Sequence, residues 1–194
     1  MQQIFQTNAT PAEYNRLGRD FPFPDLRNTL CQNCLKSEYT PHGYYQRYLI
    51  AENFEGYIEI RRYICSCCQV TVSLLPWFCH PRRSFSVELI HCLLVKFLDW
   101  TESVVSFLGG FAKTHGVKVS RQLIYQFKKR VVRNCNIILM EVTRQFNLES
   151  PVSNSNEQRN RVKDALNIIE TKSPNPCQVS MNMFSHGSHT YLTP

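Results

Sequence analysis

Cys31-Gln32-Asn33-Cys34 and Cys65-Ser66-Cys67-Cys68 decide how this chain is read. The two C-x-x-C pairs are separated by 30 residues, 35 to 64, and each pair can turn two thiolates toward one tetrahedral ion. Zn²⁺ suits such a set because a Cys₄ shell is closed, soft and redox-inert, and because one structural ion can fold a segment too small to hold itself together by burial. The spacing therefore predicts a single structural Zn²⁺ held by Cys31, Cys34, Cys65 and Cys68.

The residues between the pairs fit a half-buried β-hairpin. Pro41-His42-Gly43 reads as a turn, Tyr44 to Ile50 as a strand, and a polar turn ending at Gly56 leads into Tyr57 to Ile64. In that run Ile58, Ile60 and Ile64 share one face at period two, while Tyr57, Glu59, Arg61 and Tyr63 share the other. Val70 to Leu74 offers a third strand after the second knuckle, which together makes a three-stranded zinc ribbon over residues 25–80. A redox C-x-x-C would open a helix after a strand, and here both pairs fall at hairpin turns. Disulfides are disfavoured by the odd count of nine cysteines and by the lack of a basic-then-apolar leader. Cys67, Cys79, Cys92, Cys135 and Cys177 are then thiols, with Cys92 and Cys135 in apolar helical patterns, and the x-x spacing favours Cys68 over Cys67 as a ligand.

The formal charge of +7 is uneven. Residues 1–81 hold seven Lys/Arg and seven Asp/Glu, residues 82–146 eleven and four, and residues 147–194 four and four, so the middle segment carries the whole excess. That distribution points the middle segment at a polyanion. Before the ribbon, residues 1–24 carry Pro11, Pro22 and Pro24 and no clear period, and read as an extended lead-in. After it, Leu75 to Arg83 is a connector, because two prolines forbid a regular helix, and Trp77 and Phe78 are expected to pin the two modules together. His80 beside Cys79 is read as a packed or solvated residue, since two ligands do not make a metal site.

From Ser86 the period becomes helical. Ile90, Leu93, Leu94 and Phe97 mark a first helix ending near Trp100, and Thr101 can cap a second through Leu108, stopped by Gly109-Gly110. Ser120 caps a third with Leu123, Phe127 and Val131 inward. Arg121, Gln122, Tyr125, Gln126 and Lys129 then project outward, as residue types that reach base edges and phosphates. Three helices with a basic, Gln-bearing third over residues 81–146 predict a helix-turn-helix, in which Arg121, Gln122 and Gln126 read bases. Lys128, Lys129, Arg130 and Arg133 contact phosphates, with Tyr125, Arg82 and Arg83 at the same interface. The link from Gly109 to Lys118 is longer than the usual turn of that motif, so an ordinary bundle with a basic face is the alternative. If the third helix continues through Ile137, Ile138 and Val142, its second half offers an apolar face for packing or for a homodimer.

Residues 147–194 read as a Ser/Asn-rich linker, a short amphipathic helix through Val162, Ala165, Leu166 and Ile169, and a loosely ordered tail holding His186 and His189. Their acidic residues, Glu149, Glu157, Asp164 and Glu170, are too scattered for a two-metal nuclease. No Ser-His-Asp pattern, phosphate-cradling Gly loop or H-E-x-x-H motif appears, and the expectation is a protein that is not an enzyme. The longest apolar runs fall short of about 20 residues, so a cytoplasmic, nucleoid-associated protein with no membrane partner is expected.

The Cys-x-x-Cys pair, His42-Gly43-Tyr44-Tyr45-Gln46-Arg47, Arg62-Tyr63-Ile64-Cys65 with Cys68, Ser73-Leu74-Leu75-Pro76, Pro81-Arg82-Arg83 and Ser86 together resemble a bacterial zinc-ribbon family of unknown function associated with insertion-sequence transposases. The resemblance covers about residues 25–145. It implies an α+β chain in which ribbon and helix-turn-helix bind double-stranded DNA of a mobile element, as accessory or regulatory factor to a separately encoded transposase or integrase subunit. The alternative is an adaptor whose ribbon binds a transposase or polymerase subunit. A third reading is RNA stacking on Tyr44, Tyr57 and Tyr63.

Overall fold

The structure is a computed structural model that describes residues 1–81, 83–173 and 179. It is mixed α+β and divides into two compact units, Met1–Ser86 and Val87–Pro194.

The first unit is built on β1 (Gln2–Phe5), α1 (Pro11–Leu17), β2 (Tyr39–Ala51), β3 (Phe54–Cys65) and β4 (Thr71–Pro76). The sheet runs β1-β4-β3-β2, four strands where three are expected, because the first residues pair parallel to β4, Gln2 opposite Ser73 and Phe5 opposite Pro76. The lead-in is thus part of the fold. Thr10-Pro11-Ala12-Glu13 starts α1 with a capping box: the Thr10 hydroxyl accepts from Glu13 N at 3.3 Å, and a Glu13 carboxylate oxygen accepts from Thr10 N at 2.8 Å. α1 buries Tyr14, whose hydroxyl donates to Glu59 O at 2.8 Å and whose ring meets Phe21 at 4.5 Å and Phe78 at 5.6 Å. Trp77, half-buried with its indole N–H donating to Thr7 O at 2.8 Å, and Phe78, fully buried, both pack within this same unit.

Pro41-His42-Gly43 does not turn the chain. Pro41 faces Tyr63 and Tyr44 faces Arg61, so β2 spends one extra residue there and forms a bulge within a continuous strand. The reversal is at Glu52-Asn53, with Asn53 left-handed at φ 61°. Opposite the bulge the inward set of β3 changes parity, from Ile58 and Ile60 to Tyr63 and Cys65, leaving Ile64 half-buried. The local bend accounts for this, together with the Phe21 to Leu26 segment that covers Tyr63, whose hydroxyl donates to Pro24 O at 3.2 Å.

The second unit contains α2 (Val87–Asp99), α3 (Val104–His115), α4 (Arg121–Arg133), α5 (Cys135–Phe146) and α6 (Gln158–Lys172). α3 is capped by Ser103 and runs straight through Gly109-Gly110, because Phe107 and Phe111 on either side are one turn apart and both buried. It stops at Gly116, left-handed at φ 67°, which shortens the link to α4 to residues 116–120. α4 begins at the Ser120 cap and buries Ile124, Phe127 and Val131, while Leu123 is only half-buried. Asn134, with φ −95° and ψ 16°, separates α4 from α5, so the third helix does not continue. The inward face of α5, Cys135, Ile138, Leu139 and Val142, packs against α6.

α6 is no appendage. Val162, Ala165, Leu166 and Ile169 are buried against α2, α4 and α5, and the Arg159 guanidinium donates to Leu98 O at 2.8 Å and Trp100 O at 2.9 Å, closing the carbonyl end of α2. His186, His189 and Cys177 lie outside the described residues. No helix among the described residues is long and apolar enough to cross a membrane.

Candidate metal centre and basic helix

The four predicted cysteines converge. One ligand sulfur from each of Cys31, Cys34, Cys65 and Cys68 lies within 4.8 Å of the others, with Cys31 to Cys68 and Cys34 to Cys65 each 3.6 Å apart. A tetrahedral ion with thiolate bonds of about 2.3 Å spaces its sulfurs about 3.8 Å apart, so the cluster fits a metal ion.

The two knuckles repeat one backbone solution. Leu35 N donates to Cys31 O at 2.8 Å, and Gln69 N donates to Cys65 O at 3.0 Å. In each, the residue after the second cysteine is left-handed, Leu35 at φ 55° and Gln69 at φ 59°. Side-chain-bearing residues enter that region reluctantly, and both do so here to close the loop around the sulfurs. Within each knuckle the first cysteine is buried and the second half-buried.

Two residues that the spacing does not reveal complete the site. Ser37 Oγ sits 3.0 Å from Cys65 Sγ and accepts from Cys67 N at 3.3 Å, while Ser37 O accepts from Cys31 N at 2.9 Å, so one serine ties both knuckles. The Tyr39 hydroxyl, buried, accepts from Gln32 N at 3.1 Å. Nothing in their residue types marks them as site residues; only their place just after the first knuckle could have drawn attention. The Cys68 amide and the Ser37 hydroxyl pull the Cys65 thiol down to about 6. At Cys31, burial favours the thiol, but the Cys34 amide, the Tyr39 hydroxyl and the Asn33 amide outweigh it and lower the value. Two of the sulfurs are thereby disposed to bind as thiolates.

Cys67 is exposed and outside the cluster. Cys79 and His80 are fully buried, burial pushing the Cys79 thiol up to about 12, and among the described residues they join no metal-ligating group. Cys135 is buried, as its apolar pattern predicts, and Cys92 half-buried with its sulfur 3.8 Å from His115 Nε2.

On α4 the side chains of Arg121, Gln122, Tyr125, Gln126, Lys129 and Arg133 are exposed, and Lys128 and Arg130 are half-buried. Tyr125, Lys128, Lys129 and Arg133 line one cleft of about 650 Å³, together with Val132 and Gln158 of α6. The Lys128 ammonium lies 5.7 Å from the Phe97 ring centre, and Tyr125 meets Phe97 edge-on at 6.2 Å. Arg121 occupies the first helical position, where the positive end of the helix dipole disfavours a cation by about 0.3–1 kcal/mol. No acidic residue occurs in α4 to offset this. Arg82 lies outside the described residues, and Arg83 belongs to the first unit, half-buried, its carbonyl accepting from Arg47.

Compared with protein-family models, with curated proteins and with solved structures, the chain gives no match.

Proposed function

We propose that this chain is a zinc-dependent protein that binds double-stranded DNA, acting as an accessory or regulatory factor of a mobile element. Zn²⁺ is the ion we assign to the cysteine cluster, because four thiolates at tetrahedral spacing form a closed, soft shell. When bound it supplies folding energy and no chemistry. Cys31, Cys34, Cys65 and Cys68 hold it, and Ser37 orients Cys65.

The observation that carries the DNA reading is α4: a helix with a buried apolar stripe, no carboxylate, and an outward face of Arg121, Gln122, Tyr125, Gln126, Lys129 and Arg133. The link of residues 116–120 between α3 and α4 supports a helix-turn-helix reading better than the longer link expected from Gly109-Gly110, since that motif uses a short turn. Arg121 at the unfavourable end of the dipole supports it again, as a residue kept for a partner at some cost in helix stability. In this reading Arg121, Gln122 and Gln126 discriminate bases, and Lys128, Lys129, Arg130 and Arg133 hold phosphates.

The test is a paired titration of the zinc-loaded chain against a selected duplex and a scrambled one. Arg121→Ala and Gln122→Ala are expected to lose about 1–3 kcal/mol on the selected site and little on the scrambled one, whereas Lys129→Ala weakens both and lowers the salt slope by about one. Equal losses on both duplexes for Arg121→Ala and Lys129→Ala would reduce α4 to a charged surface and sink the reading.

A further inference from the structure

The first unit holds nine Lys/Arg against seven Asp/Glu, and its arginines are not evenly matched. Arg19, Arg27 and Arg61 line one groove of about 390 Å³ with Asp25, Tyr44 and Tyr63. Arg27 engages both Asp25 carboxylate oxygens, Nε to Oδ1 at 3.0 Å and Nη2 to Oδ2 at 2.6 Å. Arg19 pairs with Glu59 at 3.8 Å. Arg61 is the least engaged: its guanidinium carbon lies 4.6 Å from the Tyr44 ring centre and 5.3 Å from that of Tyr63, its charge helps Arg27 hold the Asp25 carboxyl below the usual range, and among the described residues it makes no ion pair or hydrogen bond.

A guanidinium held by aromatic faces is fixed in orientation through its π surface, which leaves the N–H groups at its edge unspent. That edge is the fork that matches two oxygens of a phosphate. Tyr44 also carries Arg19 at 5.4 Å, so the ring orders two cations at one wall of the groove. Two other arginines of the sheet are differently disposed: Arg47 donates to His80 O and Arg83 O, both at 2.5 Å, and Arg62 lies 5.9 Å from the Tyr45 ring centre, outside the groove lining.

We propose that the groove around Arg61 is a phosphate site on the first unit, taking a backbone phosphate of a nucleic acid, with Arg61 as the fork and Arg19 as the second cation. The identity of the occupant rests on the nucleic-acid reading above; the anion site itself does not, and it is independent of α4.

The experiment uses the full zinc-loaded chain. The Arg61 side-chain Nε–H resonance, assigned by its loss in Arg61→Met, is followed during titration with sodium phosphate and with sodium chloride at matched ionic strength. A saturable shift specific to phosphate is expected, and no difference from chloride would overturn the site. Arg61→Met keeps the stem against Tyr44, and unchanged zinc content verifies its fold. On duplex DNA it should lower the salt slope by about 0.9, the share of one phosphate. An unchanged slope beside a phosphate-specific shift would overturn the nucleic-acid occupant and leave free phosphate as the ligand. A lowered slope in Arg61→Met with none in Lys129→Ala would keep this site while removing the role of α4.

Discussion

The two units reach stability by different routes. The second is held by aliphatic and aromatic stripes on five helices, among them Leu94, Ile124, Phe127, Val142 and Ile169, all buried. The first has an aromatic cluster of Tyr14, Phe21 and Phe78 at one part of its sheet, but its remaining loops close on four sulfurs and two left-handed side-chain-bearing residues. Helical units close their backbone hydrogen bonds locally and bury a continuous face. A sheet whose ends are knuckles must bring residues 31 and 68 together across a long loop, and Cys31 and Cys65 meet there at the edge of a core built on Leu49, Ile58, Ile60 and Leu74. The contrast separates a unit whose loops meet at a cluster that could hold an ion from one closed by helix packing.

The largest expected effect breaks the two apart. Chelation should unfold the knuckle-bearing segment, with a loss on the order of 10 kcal/mol, while the helical dichroism of the second unit persists. Elemental analysis should return one zinc per chain for the wild type and for Cys67→Ser, and none for Cys34→Ser. A metal-free chain with native dichroism and dispersion would contradict the assignment.

A core truncation inverts the experiment. Phe127 is buried at the centre of α4, and Phe127→Ala should destabilise the second unit by about 3–5 kcal/mol in denaturant melts with zinc content unchanged. Loss of zinc in that variant would show that the units are not separate in stability. Smaller again is Tyr14→Phe, which removes the hydroxyl bond to Glu59 O and should lower the melting of the first unit by about 1 kcal/mol.

The smallest effect is a pH dependence confined to the second unit. His91 is buried on α2 with Nε2 3.4 Å from Glu170 Oε1, and burial lowers its pKa against the opposing pull of that carboxylate. The fold thus favours neutral His91, so the unfolded chain binds more protons below the ordinary histidine value of about 6.5, and stability falls as pH drops through that value. Melting of wild type at pH 7 and pH 5 should differ more than melting of His91→Gln, and equal differences would remove His91 as the source.

The cysteine cluster was legible because C-x-x-C spacing is local and its chemistry admits few alternatives. Ser120 at the start of α4 and the 3.6-residue period through Phe127 were legible for the same reason. β1 was not: four residues carry no period, and their strand state comes from pairing with residues 73–76, far along the chain. α1 was announced by Thr10-Pro11 and Glu13 and could have been read from them. Gly109-Gly110 misled because glycine is a weak stop when Phe107 and Phe111 both gain burial by continuing the helix. The docking of α6 depends on Arg159 reaching the carbonyls of residues 98 and 100, a contact without local signature.

The unequal burial within each knuckle has a kinetic meaning. Cys31 and Cys65 are sealed in the core, while Cys34 and Cys68 are half-open to solvent. If an ion is held there, Cys34 and Cys68 are the ligands that a competing chelator would meet first, while Cys31 and Cys65 would be the ones shielded from it. The residence time of a bound ion would then follow how often the left-handed turns at Leu35 and Gln69 open, and two sites of equal affinity would release metal at different rates if those turns differed.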